Sequence, residues 1–175
     1  MTERKTELLA GVPFVARSIL QSPAGPMTAL ATAKGLAALL FATDRYHPAR
    51  YEEVKLQPQH VHLQSAQHWL KRYWMGENPP HADVPLDLHG TPFQTAVWQA
   101  LLRIPQGRTW TYGQVAERIS PPSAARATGS AIGRNPIAVL VPCHRVIGAT
   151  GALTGYASGI PIKQHLLQHE GVLLT

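Results

Sequence analysis

The sequence has one cysteine among its 175 residues, Cys143, so the chain cannot form an internal disulfide. A single thiol also cannot build a cysteine-rich zinc site. Cys143 is therefore either a small buried side chain or a reactive group, and the residues around it must decide between these two interpretations.

Long apolar runs are missing as well. No run approaches the roughly 18 residues that a membrane span needs. The first residues, 1–7, include acids where a signal peptide has a basic stretch followed by an apolar core. We therefore expect a cytoplasmic protein with no membrane partner, and the 45% hydrophobic content is that of a folded globular chain.

Acidic residues are scarce in the C-terminal half. Residues 1–90 contain nine Lys and Arg against eight Asp and Glu, whereas residues 91–175 contain seven against two. Six of those seven cations are arginines, whose planar guanidinium groups bind phosphate through paired hydrogen bonds. A polyanion such as nucleic acid is the expected partner, although the charge alone leaves a merely basic surface equally open.

Several histidines in the N-terminal half raise the question of a metal site. They form no close pair on one helix face, and no cysteine accompanies them. We expect surface histidines, no metal and no cofactor. The histidines concerned are His47, His60, His62, His68, His81 and His89.

Two elements are predicted early in the chain. Two apolar runs within residues 27–43 flank Lys34-Gly35 and predict a hairpin, although their many alanines would also suit a helix. Within residues 58–75, apolar side chains recur at spacings of three and four, and Gly76 follows where a helix C-cap belongs. This second pattern predicts one amphipathic helix.

A break follows this helix. Asn78-Pro79-Pro80 interrupts any regular structure, and residues 84–88 alternate like a short extended strand. We place a domain boundary in this region, which gives an N-terminal domain at residues 1–86 and a C-terminal domain at residues 87–175.

Helix signals become strong after the boundary. Thr91 and Pro92 stand at the N-cap and the first position of a helix that should end before Pro105. At the end of the chain, Pro161 opens a last helix and Gly171 provides its C-cap.

Between these two helices lies a candidate helix-turn-helix. Thr111 caps a short helix, residues 120–123 break it, and a second helix runs from Ala124 toward Gly133. The second helix is rich in small residues, which permit close approach to another backbone, and Arg126 projects from its first turn. Most helix pairs with a short turn do not bind DNA, so this pattern alone decides little.

The cysteine follows a buried segment. Residues 137–141 form a continuous apolar run that leads directly to Cys143. A thiol reacts as thiolate and needs a nearby base or cation, and His144 and Arg145 are its neighbours. Glu170, one of two acids in this half, is the candidate that would orient the imidazole. A buried cysteine beside a surface histidine is the alternative.

The segment Pro142-Cys143-His144-Arg145-Val146 resembles the active-site motif of the O6-alkylguanine-DNA alkyltransferase (methylated-DNA--protein-cysteine methyltransferase) family. The resemblance runs from about Thr91 to the C-terminus, roughly half of the chain, and further motifs follow the family's order. These motifs are Tyr112-Gly113-Gln114-Val115-Ala116, Ala125-Arg126-Ala127-Thr128-Gly129, Arg134-Asn135-Pro136, Gly155-Tyr156-Ala157-Ser158-Gly159 and His169-Glu170-Gly171.

The resemblance implies an α+β protein. Its N-terminal α/β domain would have a small antiparallel, ribonuclease H-like sheet, and a mainly helical winged-helix/helix-turn-helix domain would follow. The implied activity is irreversible transfer of an alkyl group from O6-alkylguanine, or O4-alkylthymine, in double-stranded DNA to Cys143. We expect a monomer that acts once per molecule, and cooperative assembly on DNA stays open.

The family's residue roles carry over to matching positions. In the resemblance, Cys143 is the acceptor, His144 a water-mediated base, Glu170 its partner, Asn135 a support of the cysteine loop, and Tyr112 a proton donor to the leaving guanine. The residues implied in DNA binding, where the damaged base is flipped into the protein through the minor groove, are Arg126, Tyr112, Ala125, Ala127, Thr128, Gly129 and Arg134. The residues implied in the substrate pocket are Pro142, Val146, Tyr156, Ala157 and Ser158.

One position departs from the family's pattern. Ser158 stands where the family usually has glycine, and its hydroxymethyl group is expected to disfavour bulky adducts such as benzyl. Two other functions stay in competition: a lesion sensor or helix-turn-helix protein that binds DNA without transfer, and a cysteine hydrolase. A hydrolase would need an oxyanion hole and would have no use for the basic helix pair.

Overall fold

The structure is a computed structural model that describes residues 9–45, 51–119 and 125–172. The chain forms two compact units that meet in sequence between His89 and Gly90. The domain limits 1–86 and 87–175 stay a prediction. Three features considered in the sequence, the acidic residues within 1–7, His47 and the break at 120–123 with the helix start at Ala124, lie outside the described residues.

A three-stranded antiparallel sheet forms the centre of the first unit, in the order β1-β2-β3. Every residue of β2 and β3 is buried, so the alternation of a one-sided sheet is absent, which is why the alanine-rich runs also suited a helix. The predicted hairpin is confirmed. The strands are β1 (Ala16–Leu20), β2 (Met27–Ala31) and β3 (Leu36–Phe41).

Helix α1 (Val61–Trp74) packs on all three strands. Its buried residues recur at spacings of three and four, as predicted, and Gly76 follows its end with φ +85°. The predicted helix is therefore confirmed, with slightly tighter limits. Two single-turn 3-10 helices, Tyr51–Glu53 and His81–Asp83, precede and follow it.

The segment predicted as a strand at residues 84–88 makes only an isolated parallel bridge between Leu86 and Leu36. The Leu36 N–H donates to the Pro85 carbonyl, and the Asp87 N–H donates to the Leu36 carbonyl, both at 2.8 Å. The segment is extended, but it pairs over too short a length to form a strand.

Within its described residues the second unit contains four α-helices, and the predicted N-terminal capping signals are present in the first two of them. Thr91 and Thr111 each form a capping box with the glutamine three residues later, which satisfies two backbone N–H groups at each helix start. The helices are α2 (Pro92–Leu101), α3 (Tyr112–Glu117), α4 (Ala125–Ile132) and α5 (Ile160–His169). Helix α5 begins one residue before Pro161. None of the described helices is long and apolar enough to span a membrane.

Two short strands, β4 (Trp110–Thr111) and β5 (Val146–Ile147), pair in parallel. Trp110 is opposite Val146, so the start of α3 lies beside the chain that leaves the cysteine. Helices α3 and α4 pack against each other and on α2, which gives the helix pair of the candidate helix-turn-helix. The predicted α+β class is confirmed.

Candidate active site around Cys143

The loop that leads to the cysteine is folded around the side chain of Asn135. The Asn135 amide nitrogen donates to the carbonyls of Ile137 (3.2 Å) and Val141 (2.8 Å), and its oxygen accepts from the Ile137 N–H (2.9 Å). Val139, between them, has φ +68°, a strained conformation for a β-branched residue. The hydrogen bonds of Asn135 therefore fix the path of the chain immediately before Cys143.

Cys143 begins a single 3-10 turn, Cys143–Arg145, and is 9% exposed. Its N–H donates to the Val141 carbonyl at 2.8 Å. In a turn, unlike a strand, consecutive side chains need not point to opposite faces, so Cys143 and His144 can serve the same site. The negative charge of an ionised Cys143 would raise the pKa of Lys163 and favour its ammonium form.

His144 is completely buried and bonds to a buried carboxylate. Its Nε2 lies 2.7 Å from Oε1 of Glu170, and both side chains have no exposed surface. Burial lowers the pKa of His144, and the attraction of Glu170 only partly opposes this effect. A neutral imidazole that donates from Nε2 leaves Nδ1 as an acceptor, and Nδ1 has no hydrogen-bond partner within the described residues.

Arg145 binds the same carboxylate with two parallel hydrogen bonds. Its Nε donates to Oε2 of Glu170 at 2.8 Å, and its Nη2 donates to Oε1 at 2.9 Å. A third hydrogen bond runs from Nη1 to the Ile104 carbonyl at 2.7 Å. Burial alone would raise the pKa of Glu170, but the hydrogen bonds and charges of His144 and Arg145 hold it far below its usual range. Arg145 therefore serves Glu170 rather than the thiol.

Lys163 is the buried cation that acts on the cysteine. It has no exposed surface, and its Nζ donates to the carbonyls of Val146 (2.5 Å), Thr154 (3.1 Å) and Gly155 (3.5 Å). Burial lowers its pKa to about 8, while the Cys143 thiolate acts in the opposite direction. Lys163 thus links the strand after the cysteine to the 154–155 loop.

Tyr112 is directed to the same loop from the start of α3. Its hydroxyl donates to the Thr154 carbonyl at 2.9 Å, the oxygen that Lys163 also binds. Gly129 lies against the Tyr112 ring, where a Cβ would come within 3.4 Å of Cδ1. The structure therefore brings Tyr112, Lys163 and the loop after the cysteine together.

Helix α4 presents a mostly small and basic surface. Ala125, Arg126 and Ala127 are exposed, and Arg126 makes no hydrogen bond or ion pair to any described residue. Thr128 is fully buried, so its side chain faces the interior and not the solvent. Arg134, beyond the helix, donates to Ser130 at 2.9 Å.

The side chains expected in the substrate pocket are largely buried. Pro142, Val146, Tyr156 and Ser158 are buried, and Ala157 is half-buried. Residues 154–155, which precede this group, are held by Lys163, and Val146 supplies one of its carbonyls. The loop and the strand are therefore joined through one buried ammonium group.

Sequence reasoning did not identify Lys163 or the pairing of Arg145 with Glu170. A signal for Lys163 was available: it precedes Leu166 and Leu167 by three and four residues, so it lies on the apolar face of α5. No local signal announces the pairing of Arg145 with Glu170, because they are 25 residues apart. Within the described residues, no three His, Cys, Asp or Glu side chains are close enough to hold a metal ion.

Comparisons with known proteins place this site in context. A family model for the 6-O-methylguanine DNA methyltransferase DNA binding domain matches residues 92–172. The methylated-DNA--protein-cysteine methyltransferase of Mycobacterium tuberculosis is 46% identical over 151 residues, which cover 86% of this chain and 89% of that protein. That of Methanosarcina acetivorans is 43% identical over 158 residues, covering 88% and 97%.

Solved structures agree with the sequence relatives. The crystal structure of Mycobacterium tuberculosis OGT in complex with DNA has a TM-score of 0.82 and 45% identity, covering 90% of this chain and 93% of that one. The O6-methylguanine-DNA methyltransferase of Pyrococcus kodakaraensis has a TM-score of 0.68 at 24% identity and shares the fold. The coverage and identity of these relatives extend to both units, and the chain belongs to the methylated-DNA--protein-cysteine methyltransferase family.

Proposed function

We propose that this protein repairs alkylated DNA as a methylated-DNA--protein-cysteine S-methyltransferase, with Cys143 as the acceptor. The substrate is double-stranded DNA that contains O6-alkylguanine, or O4-alkylthymine. Each molecule acts once, because the product is a thioether that neither water nor a thiol readily cleaves. The protein works as a monomer and needs neither a cofactor nor a membrane.

The observation that carries this function is the position of the lone cysteine. Cys143 directly precedes His144, whose buried imidazole bonds to Glu170 through Nε2, and an ionised Cys143 would be attracted by the buried ammonium group of Lys163. A base and a cation are the two features that turn a thiol into a nucleophile. Family membership supplies the alkylated base as the electrophile.

The transfer is a direct displacement. Nδ1 of His144 takes the thiol proton through a water molecule, and the Sγ electron pair forms a bond to the alkyl carbon. The bond from that carbon to O6 of guanine breaks, and its electron pair stays on the guanine. Tyr112 donates a proton to this leaving group, and Glu170 stabilises the charge that develops on His144.

Asn135 supports this chemistry without taking part in it. Its three hydrogen bonds hold the chain on both sides of Val139, so the backbone that carries Cys143 has little freedom. A fixed nucleophile loses less entropy in the transition state. The pocket for the extruded base is formed by Pro142, Val146 and the 156–158 loop.

DNA is bound through the helix-turn-helix. A base inside a stacked duplex is out of reach of a buried thiol, so the damaged nucleotide must be rotated out of the helix. Arg126 occupies the space that the base leaves, and the small side chains of Ala125, Ala127 and Gly129 permit close approach to the minor groove. Arg134 binds phosphate, whereas the fully buried Thr128 does not touch the DNA and serves only the packing of the helix pair.

The test is a titration of lesions against protein. A duplex with one O6-methylguanine is mixed with increasing protein, and the remaining lesion is counted after digestion to nucleosides. The proposal predicts that removal levels off at one lesion per protein molecule and does not rise further with longer incubation. Removal of many lesions per molecule would indicate a true turnover enzyme, and tight binding without removal would indicate a lesion sensor.

A further inference from the structure

The carboxylate of Glu170 is shared between two side chains. Arg145 donates two hydrogen bonds to it, at 2.8 and 2.9 Å, and His144 contributes one at 2.7 Å. The Glu170 and His144 side chains have no exposed surface, and that of Arg145 is 9% exposed. Solvent hardly reaches these three side chains, so the protonation state of each depends mainly on its interactions with the other two.

Because Arg145 and His144 share the Glu170 carboxylate, Arg145 affects whether His144 is a neutral imidazole or a charged imidazolium. A buried glutamate that faced only an imidazole would favour the ion pair, because a carboxylate without a positive partner is costly to bury. An imidazolium carries protons on both nitrogens and cannot accept a proton at Nδ1. Arg145 already supplies one full positive charge to Glu170, so a second charge on His144 gains little.

We infer that Arg145 is a positioning residue that keeps His144 neutral, and thereby available as a base, by neutralising Glu170. This inference rests on the proposed function, since a base is needed only if Cys143 reacts. The charged groups that act on His144 are Glu170, Arg145 and Lys163, and Cys143 adds a negative charge when it is ionised. Of these, Arg145 is the one that holds Glu170 directly.

The direction of the His144 pKa agrees with this arrangement. Burial lowers that pKa most, and the positive charges of Arg145 and Lys163 lower it further against the opposing effect of Glu170. The geometry also holds the Arg145 side chain in place. Its third hydrogen bond, to the Ile104 carbonyl at 2.7 Å, fixes the plane in which the other two meet the carboxylate.

The experiment follows the protonation of His144 by NMR in protein with isotopically labelled histidine, without DNA. Four proteins are compared: wild type, Arg145→Met, Glu170→Gln and the double variant. In wild type we expect a neutral His144 at pH 6, below the ordinary histidine pKa of about 6.5. In Arg145→Met we expect His144 to become protonated at a pH at least about one unit higher than in wild type.

Glu170→Gln tests the opposite direction, because it leaves Arg145 and Lys163 without the carboxylate. His144 should then stay neutral to at least as low a pH as in wild type. The double variant removes both charges and should return His144 close to its wild-type behaviour. A folded Arg145→Met whose His144 titrates as in wild type would overturn the inference. If that variant does not fold, a Glu170→Gln protein whose His144 protonates at higher pH than wild type would overturn it.

The pH dependence of the methyl transfer rate tests whether the protonation of His144 affects repair. The ratio of the single-turnover methyl transfer rates at pH 8 and pH 6 should be about two- to threefold larger in Arg145→Met than in wild type, because a higher His144 pKa leaves a smaller neutral fraction of the base at pH 6. Arg145→Lys keeps the positive charge and should preserve the wild-type ratio. Absence of transfer in wild type would refute the proposed function, whereas wild-type transfer with an unchanged ratio in Arg145→Met would refute only the role of Arg145.

Discussion

Lys163 shows how a single residue can link the nucleophile to its surroundings. The ammonium group donates to three carbonyls and is attracted by an ionised Cys143, and only its place on the apolar face of α5 distinguishes it in sequence from a solvated lysine. The burial arises because the 154–155 loop and β5 converge on it, and such convergence is decided by the fold. The hydrogen bond between His144 and Glu170, by contrast, agrees with the pairing that the scarcity of acids suggested from the sequence.

Replacement of Lys163 by methionine should weaken the thiolate. The substitution keeps most of the volume and removes the charge that attracts the ionised thiol, so Cys143 should react with iodoacetamide only at higher pH. We expect roughly a tenfold slower labelling at pH 7, equivalent to about one pKa unit. Since the chain has one cysteine, the label reports Cys143 alone.

The matched control is Lys71→Met, because Lys71 is exposed on α1. It should label at the wild-type rate. Equal labelling of the Lys163→Met and wild-type proteins at every pH would contradict a role for Lys163 in activating the thiol.

Ser158 should limit the size of the adduct that the site accepts. The residue is buried, 6% exposed, in the loop that we assign to the pocket. Replacement by glycine removes two heavy atoms, so Ser158→Gly should raise the rate with O6-benzylguanine relative to that with O6-methylguanine in DNA. The measurement is the ratio of the two single-turnover rates, and an unchanged ratio would remove Ser158 as a specificity residue.

The elements divide into those with local signals and those without. Helices α2 and α3 were predicted because Thr91 and Thr111 carry their caps within four residues of sequence. The parallel pair β4-β5 was not predicted, because its strands are two residues long and 36 positions apart in register. The site depends on these paired strands, because they place Tyr112 next to the chain that follows Cys143.

Gly35, in the turn between β2 and β3, is needed for close backbone packing that the hairpin pattern in the sequence does not indicate. A Cβ at this position would lie 2.6 Å from the Pro85 carbonyl oxygen and 2.9 Å from its carbon, both backbone atoms. Gly35→Ala should therefore separate the β2-β3 turn from the 85–87 segment and lower the free energy of unfolding by roughly 2 kcal/mol, in the range of overpacking.

Chemical denaturation of the full chain measures this loss. Gly113→Ala is the control, since its Cβ would meet nothing closer than 3.8 Å and it lies within a helix, where alanine is preferred. If Gly35→Ala were as stable as Gly113→Ala, the close contact with Pro85 would not be a constraint on the fold.

At the scale of the whole molecule, the distribution of charge matters most. The C-terminal half has seven cations and two acids. One of these acids, Glu170, is paired with Arg145 and His144 in a buried cluster of three side chains. The charged side chains left on the surface of this half are therefore mostly basic, which favours binding of a polyanion such as DNA. The sequence predicted this partner class from composition, but it could not show that Arg145 and Lys163 are buried and do not contribute to the surface.

The buried cluster should also make the whole molecule sensitive to acid. The fold lowers the pKa values of His144 and Glu170, so at low pH the unfolded chain binds more protons at these two groups than the folded chain does. The free energy of unfolding should therefore decrease as pH falls below about 6.5, where His144 becomes protonated in the unfolded chain. It should decrease further below about 4.3, where Glu170 becomes protonated in the unfolded chain. Each group can add a slope of up to about 1.4 kcal/mol per pH unit.

Urea denaturation between pH 7 and pH 4 tests this. His144→Gln should show a smaller slope of unfolding free energy against pH between 6.5 and 5 than wild type. His81→Gln, which alters an exposed histidine, should keep the wild-type slope. Identical slopes in wild type and His144→Gln would contradict a neutral, buried His144.

The central claim, transfer of the alkyl group to Cys143, is tested most directly by intact-protein mass. The protein is mixed with a duplex that contains one O6-methylguanine, its mass is recorded, and a peptide digest locates the change, with Cys143→Ala as the control. The account predicts a gain of one methyl group per chain, located on Cys143 and absent from Cys143→Ala. An unchanged mass with bound DNA, or a methyl group on another residue, would contradict it.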